Sequence, residues 1–125
     1  MNLNYIYFTF LLIIAILVYI NLNSNTPEIQ AASASKLIND ENHIFLDVRT
    51  DSEYNSGHIK NSYHIPLQSL QDRLDEIETI KNKNIIVYCR SGARSSKATK
   101  FLSQNGFNVR NLVGGVLSWD GKLVK

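Results

Sequence analysis

The chain has almost no cysteine, little proline and, over its first 22 residues, no charge. One cysteine in 125 residues excludes an internal disulfide and any thiolate-rich metal centre. Thirteen Lys and Arg against eleven Asp and Glu leave a net charge of +2. That is too little for a nucleic-acid surface, and no basic stripe or aromatic ladder accompanies it, so no nucleic-acid partner is expected. A glycine-rich nucleotide loop and a metal-ligand cluster are also missing, so no cofactor and no metal are expected. No repeat or low-complexity stretch is present. The length admits one domain of ordinary size and little else.

What the chain does hold is concentrated in two places. Tyr5–Leu22 is an uncharged, almost wholly apolar run. As a helix it would be about 27 Å long at 1.5 Å per residue, the thickness of a bilayer's hydrocarbon core. Tyr5, Tyr7 and Tyr19 sit near its ends, where interfacial aromatics belong. Residues 1–23 are therefore expected to be a membrane anchor or signal segment. Ala32-Ser33-Ala34 has the small residues of a signal cleavage site, but it lies far beyond the apolar run, which favours an uncleaved anchor. Residues 24–34 read as a linker, with Pro27 as a breaker. An apolar N-terminus followed by a polar linker has the form of an export signal and places the remaining domain outside the cytoplasm, as in a periplasm. A cleaved signal with soluble export and a cytoplasm-facing domain are the alternatives.

The second place is Cys89. A lone cysteine is by itself an ordinary small buried residue; its setting singles it out. Cys89-Arg90-Ser91-Gly92-Ala93-Arg94-Ser95 follows the apolar run Ile85-Ile86-Val87-Tyr88 directly. A thiol leaving a buried strand, followed by small residues, two arginines and a helix, is an anion site built around a nucleophile. Backbone N–H groups and a helix start favour negative charge, so they favour the reactive thiolate. From Cys89 to Arg94 the loop has six residues. A cysteine phosphatase needs one more to wrap the oxygens of a phosphate, and the position where its arginine would fall is Ser95.

Three ordered stretches make this chain similar to the rhodanese (sulfurtransferase) family. They are the Cys89 loop itself, Phe45-Leu46-Asp47-Val48-Arg49 with Glu53 and Gly57-His58-Ile59, and Leu112-Val113-Gly114-Gly115-Val116 with Trp119. The resemblance covers residues 35–125 and departs at Lys60-Asn61-Ser62, where the family usually has Pro-Gly-Ala. It implies a three-layer α/β domain with a mainly parallel five-stranded sheet flanked by helices. It also implies a reaction, in which Cys89 takes the sulfane sulfur of thiosulfate or a similar donor as a persulfide. An acceptor (cyanide, a small thiol or a protein thiol) then removes it, in two half-reactions. Arg90 and Arg94 suit the sulfonate end of the donor. Ser91, Gly92 and Ala93 are small so that the loop's backbone reaches the sulfur. Ser95 is expected either to join the anion site or to cap the next helix. Asp47 and Arg49 are supporting residues, a structural ion pair or turn brace. His58 is expected to brace its turn, while His43 and His64 belong to strands.

Strand signals fall at 44–48, 63–65, 85–88 and 109–113. A short helical entry is expected at Lys36–Asp40, capped by Ser33 or Ser35. Leu67, Leu70, Leu74, Ile77 and Ile80 recur at helical spacing. The helix after the loop should end at Gly106 with a left-handed cap, Phe107 packing back on Leu102. Two rival functions share this scaffold: an idle module that binds a protein partner, and a cysteine-based phosphatase or arsenate reductase.

Overall fold

The computed structural model describes residues 2–22 and 25–125. Five parallel strands form one sheet in the order β1-β5-β4-β2-β3. They are β1 (Glu28–Ile29), β2 (His43–Asp47), β3 (Tyr63–His64), β4 (Asn84–Tyr88) and β5 (Asn108–Leu112). The one antiparallel pairing among the described residues is an isolated bridge between His58 and Val124.

The continuous apolar runs form the two central strands because both of their faces are covered. Successive β4 side chains alternate between two cores: Ile85 and Val87 join Leu46, Leu70, Ile77, Ala98 and Leu102. Ile86 and Tyr88 join Phe45, Ile59, Leu112 and Ala34. The first core is closed by α4 (Leu74–Glu78) and α5 (Ala93–Gln104), the second by α2 (Ala31–Ser35) and the C-terminal segment around Trp119. Trp119 meets Phe45 edge-on, with ring centroids 5.7 Å apart. Burying Leu102 or Ile77 completely stabilises the fold by about 1.5–3 kcal/mol each.

Helix α5 ends as expected. Gly106 has φ +84°, its N–H reaches Ser103 O, and Phe107 N–H reaches Leu102 O at 3.1 Å, the paired bonds of a Schellman cap. Three expectations are corrected. Residues 28–34, read as part of the linker, belong to β1 and α2, because Asn111 N–H donates to Pro27 O and Val113 N–H to Ile29 O. The helical entry at Lys36–Asp40 is a turn that follows α2, so Ser33 and Ser35 lie inside a helix and cap nothing. The apolar spacing from Leu67 to Ile80 is split into a 3₁₀ turn (Leu67–Ser69) and α4. Steps of three residues dominate that spacing, and they suit tighter 3₁₀ turns as well as an α-helix.

The apolar N-terminal run is one helix, α1 (Leu3–Leu22), with no buried residue and a mean hydropathy of 2.3. By length and composition it is able to cross a bilayer. An exported signal segment has the same character, and the helix does not distinguish the two.

Sheet order also fixes where chemistry can gather. From β2 the chain moves outward to β3, and from β4 it moves outward to β5 on the other side. The crevice beyond the carboxyl ends of β2 and β4 is therefore the topological switch point, where open α/β sheets bind their ligands.

Candidate functional site

Cys89 leaves β4 at that crevice, and Asp47 and Arg49 leave β2 beside it, with Val48 N–H donating to Tyr88 O at 3.0 Å. The Cys89 side chain is almost fully covered. Its Sγ accepts from Gly92 N–H at 3.1 Å and from Ser95 Oγ at 3.3 Å. Burial alone would push the thiol up. The Ser95 hydroxyl and the amides of Ser95, Gly92 and Ser91 outweigh it and hold Cys89 below its ordinary pKa. Ser95 stands on the first turn of α5, donates to the sulfur, and caps nothing.

The loop owes its shape to contacts from three directions. Gly92 sits at φ +105°, a conformation that disfavours a side chain. Its carbonyl accepts from Ser96 N–H, Ser95 Oγ and the buried Asn111 Nδ2. From the C-terminal side, Val116 N–H donates to Cys89 O at 3.0 Å and Leu117 N–H to Arg90 O at 3.2 Å. This approach requires Gly115: a Cβ there would lie 2.4 Å from Cys89 O and 2.5 Å from Arg90 O.

The arginines divide by partner. Arg49 is buried and grips the fully buried Asp47 through Nε and Nη2, the shortest contact being 2.6 Å, and also donates to Gly57 O at 2.7 Å. This is the expected ion pair and turn brace together. Arg94 points to Glu53 of α3 (Asp51–Ser56) and forms a bidentate pair at 2.7 and 2.9 Å. Hydrogen bonding from Arg94 brings the Glu53 carboxyl down to about 2. Arg90 is exposed and has no carboxylate partner among the described residues. Ser91 and Ala93 are exposed at the loop surface.

No histidine nitrogen bonds the sulfur. His58 and His64 both stack on the Tyr54 ring, with ring centroids 3.8 and 4.3 Å from it. His58 braces its turn through Tyr54 O and a backbone pair with Val124. His43 lies at the start of β2 near Asp40 and Arg110. At the family departure, Asn61 takes φ +62°, a left-handed position that Asn tolerates better than most residues. The next residue, Ser62, places its hydroxyl 2.8 Å from Tyr88 Oη, which also accepts from Ile59 N–H.

Several contributors were not assigned a role by sequence reasoning. Glu53 is the main one, and the signal was present: Thr50-x-x-Glu53 spells a capping box. The box forms, with Glu53 N–H on Thr50 Oγ1 and Glu53 Oε1 on Thr50 N–H. Asn111 carried no signal, because its partner Gly92 lies 19 positions away in the chain.

The Rhodanese-like domain family matches residues 30–122. A rhodanese-related protein from Thermoplasma volcanium superposes with a TM-score of 0.72 at 35% identity, covering 78% of this chain and 97% of that one. A NAD-dependent persulfide reductase from A. fulgidus superposes with a TM-score of 0.64 at 31% identity, over 85% of this chain and 18% of that chain. Among curated proteins, a tRNA uridine(34) hydroxylase of Escherichia coli is 33% identical over 105 residues, 79% of this chain. The chain spans only 30% of that relative's length. Family match, sheet order and the cysteine loop at the switch point agree, and the chain belongs to the rhodanese-like family.

Proposed function

We propose that this chain is a sulfurtransferase that carries sulfane sulfur on Cys89 as a persulfide, from thiosulfate or a similar donor to a thiol or cyanide. The observation that supports it most is the setting of Cys89 Sγ, which receives N–H and O–H donors while its thiol is held below its ordinary value. The same donors suit a persulfide anion, whose charge lies one sulfur further out. The donor's anionic end falls to Arg90, the loop arginine without a carboxylate partner. Arg94, read from sequence as a second clamp, braces the loop through Glu53 instead.

In the first half-reaction the Cys89 thiolate attacks the outer sulfur of the donor. The Sγ–S bond forms as the donor's S–S bond breaks, and the sulfite leaves with that electron pair. In the second, the acceptor attacks the outer sulfur and frees the thiolate. The persulfide reductase among the structural neighbours is named for chemistry on the same kind of sulfur. The hydroxylase activity named for the E. coli relatives belongs to proteins of whose length this chain spans 30%. An idle binding module would have no need of an activated thiol, and the six-residue loop argues against a phosphatase. We further propose that α1 anchors the protein in a membrane, with the domain on the extracytoplasmic side.

Intact mass after incubation with thiosulfate tests the reaction. A gain of one sulfur atom is expected for the wild type and none for Cys89→Ser, which is nearly isosteric and keeps the fold. Sulfur loading on Cys89→Ser, or none on the wild type, would refute the reading. Protease added to intact cells tests the orientation: a domain protected until lysis faces the cytoplasm, against this proposal.

A further inference from the structure

Asn111 stands where the sheet calls for hydrocarbon. Side chains along β5 alternate between faces, so Asn111 shares the face of Val109, and its register partner on β4 is Val87. Val109 and Val87 both belong to the first core, with Ala98 and Leu102 of α5. Asn111 is buried with them. Its amide is only half used: Nδ2 donates to Gly92 O at 3.2 Å, while Oδ1 has no hydrogen-bond partner among the described residues. A buried acceptor left unpaired costs stability. A local rule broken at such a cost points to a functional constraint.

What that constraint serves follows from the hydrogens around Gly92 O. The Ser95 hydroxyl has one hydrogen and two acceptors in reach, Cys89 Sγ at 3.3 Å and Gly92 O at 3.2 Å. It can serve only one at a time. Gly92 O has two lone pairs. Ser96 N–H takes one at 3.0 Å, as the opening bond of α5, and Asn111 Nδ2 takes the other. With both occupied, Gly92 O no longer competes for the Ser95 hydrogen. We infer that Asn111 is a positioning residue: by filling Gly92 O, it directs the single Ser95 hydrogen to Cys89 Sγ.

Gly92 N–H also reaches the sulfur, at 3.1 Å, but a backbone N–H is fixed by its peptide plane. A hydroxyl rotates to suit its surroundings, so its aim is open to control by a neighbour. Without the Asn111 amide the hydroxyl turns to Gly92 O, and the thiolate loses a charge-assisted bond. Asn111 thus acts on the sulfur through Ser95. The inference deepens the proposed function at its nucleophile and rests on Cys89 reacting as a thiolate.

The test is the pH–rate profile of iodoacetamide alkylation on the full-length chain in detergent, where the single cysteine makes the signal that of Cys89. Asn111→Leu suits the apolar face and lacks the donor. Asn111→Ala is the second variant, and thermal melting checks that each is folded. In both, the midpoint should rise, and below it alkylation should slow severalfold. Ser95→Ala should raise the midpoint at least as far. The double variant Ser95→Ala/Asn111→Leu should match Ser95→Ala alone, since no hydroxyl is left to direct. A purely structural Asn111 would lower the melting temperature and leave the midpoint in place, which would overturn the inference. So would shifts that add in full in the double variant, or a Ser95→Ala profile equal to that of the wild type. Failure of thiosulfate to load Cys89 would instead strike the sulfurtransferase reading and leave the role of Asn111 to stand.

Discussion

Two arginine–carboxylate pairs flank the cysteine loop, one at its floor and one at its rim, and they do different work. Asp47–Arg49 is shut away from water, tied to Gly57 O and set against the face of Tyr88 at 5.7 Å. Glu53–Arg94 is about one third exposed and joins α3 to the start of α5. A buried charge must keep its partner or the fold suffers; a rim charge is partly solvated in either state. The floor pair therefore belongs to the architecture, and the rim pair is the part through which the loop's behaviour is adjustable.

Breaking the floor should have the largest effect. Arg49→Met leaves Asp47 buried and unpaired, and about 3–5 kcal/mol of stability should be lost in urea denaturation. Adding Asp47→Asn should recover part of that loss, since the stranded charge is gone. A loss below about 1 kcal/mol would erase the distinction between floor and rim.

A smaller effect sits between the two pairs. Ser95→Ala removes a hydroxyl that donates to the sulfur, so the midpoint of the pH–rate profile for iodoacetamide alkylation should move upward. The thermal midpoint should barely change, because the buried hydroxyl serves the thiolate more than the packing. An unmoved profile would mean that the amides alone set the thiol's acidity.

The rim should respond least in stability and most in pH dependence. Glu53→Gln should cost under about 1 kcal/mol at neutral pH. The Glu53 carboxyl lies near 2 when folded, against an ordinary 4.5. Its contribution is therefore complete above about 4.5 and disappears as the pH falls towards 2. Between pH 5 and 2 the wild type should lose more thermal stability than Glu53→Gln, and parallel curves would contradict the pairing. With Arg94 released, the same variant should also bind thiosulfate more tightly, seen as a lower Michaelis constant.

The parts of this molecule that its sequence discloses are those dictated by local chemistry. Ile44–Val48 and Ile85–Tyr88 carry strand character in their own side chains, and both strands lie within a residue of where the runs place them. Gly106 ends α5 because the cap depends on one backbone conformation. Residues 28–35 disclose nothing, since the two-residue β1 exists only through its bonds to β5. The site divides in the same way. Cys89 and its small neighbours are legible from spacing, whereas the choice of Glu53 by Arg94, 41 positions apart in the chain, is made by the fold. Two loop arginines look alike in one dimension; in three, Arg94 is paired with Glu53 and Arg90 has no carboxylate partner among the described residues.

Gly115 has a consequence that reaches the sulfur itself. Each trans peptide unit is a small rigid dipole with C=O and N–H pointing opposite ways. Where Val116 and Leu117 hold the oxygens of Cys89 and Arg90 outward, the hydrogens of Arg90 and Ser91 are turned the other way, and the Ser91 amide is among those that lower the Cys89 thiol. The missing methyl group at Gly115 lets the C-terminal segment come close enough to pin those negative ends. In this way a hydrogen atom in place of a side chain, 26 positions downstream of Cys89, helps orient the electric field in which the Cys89 thiol sits.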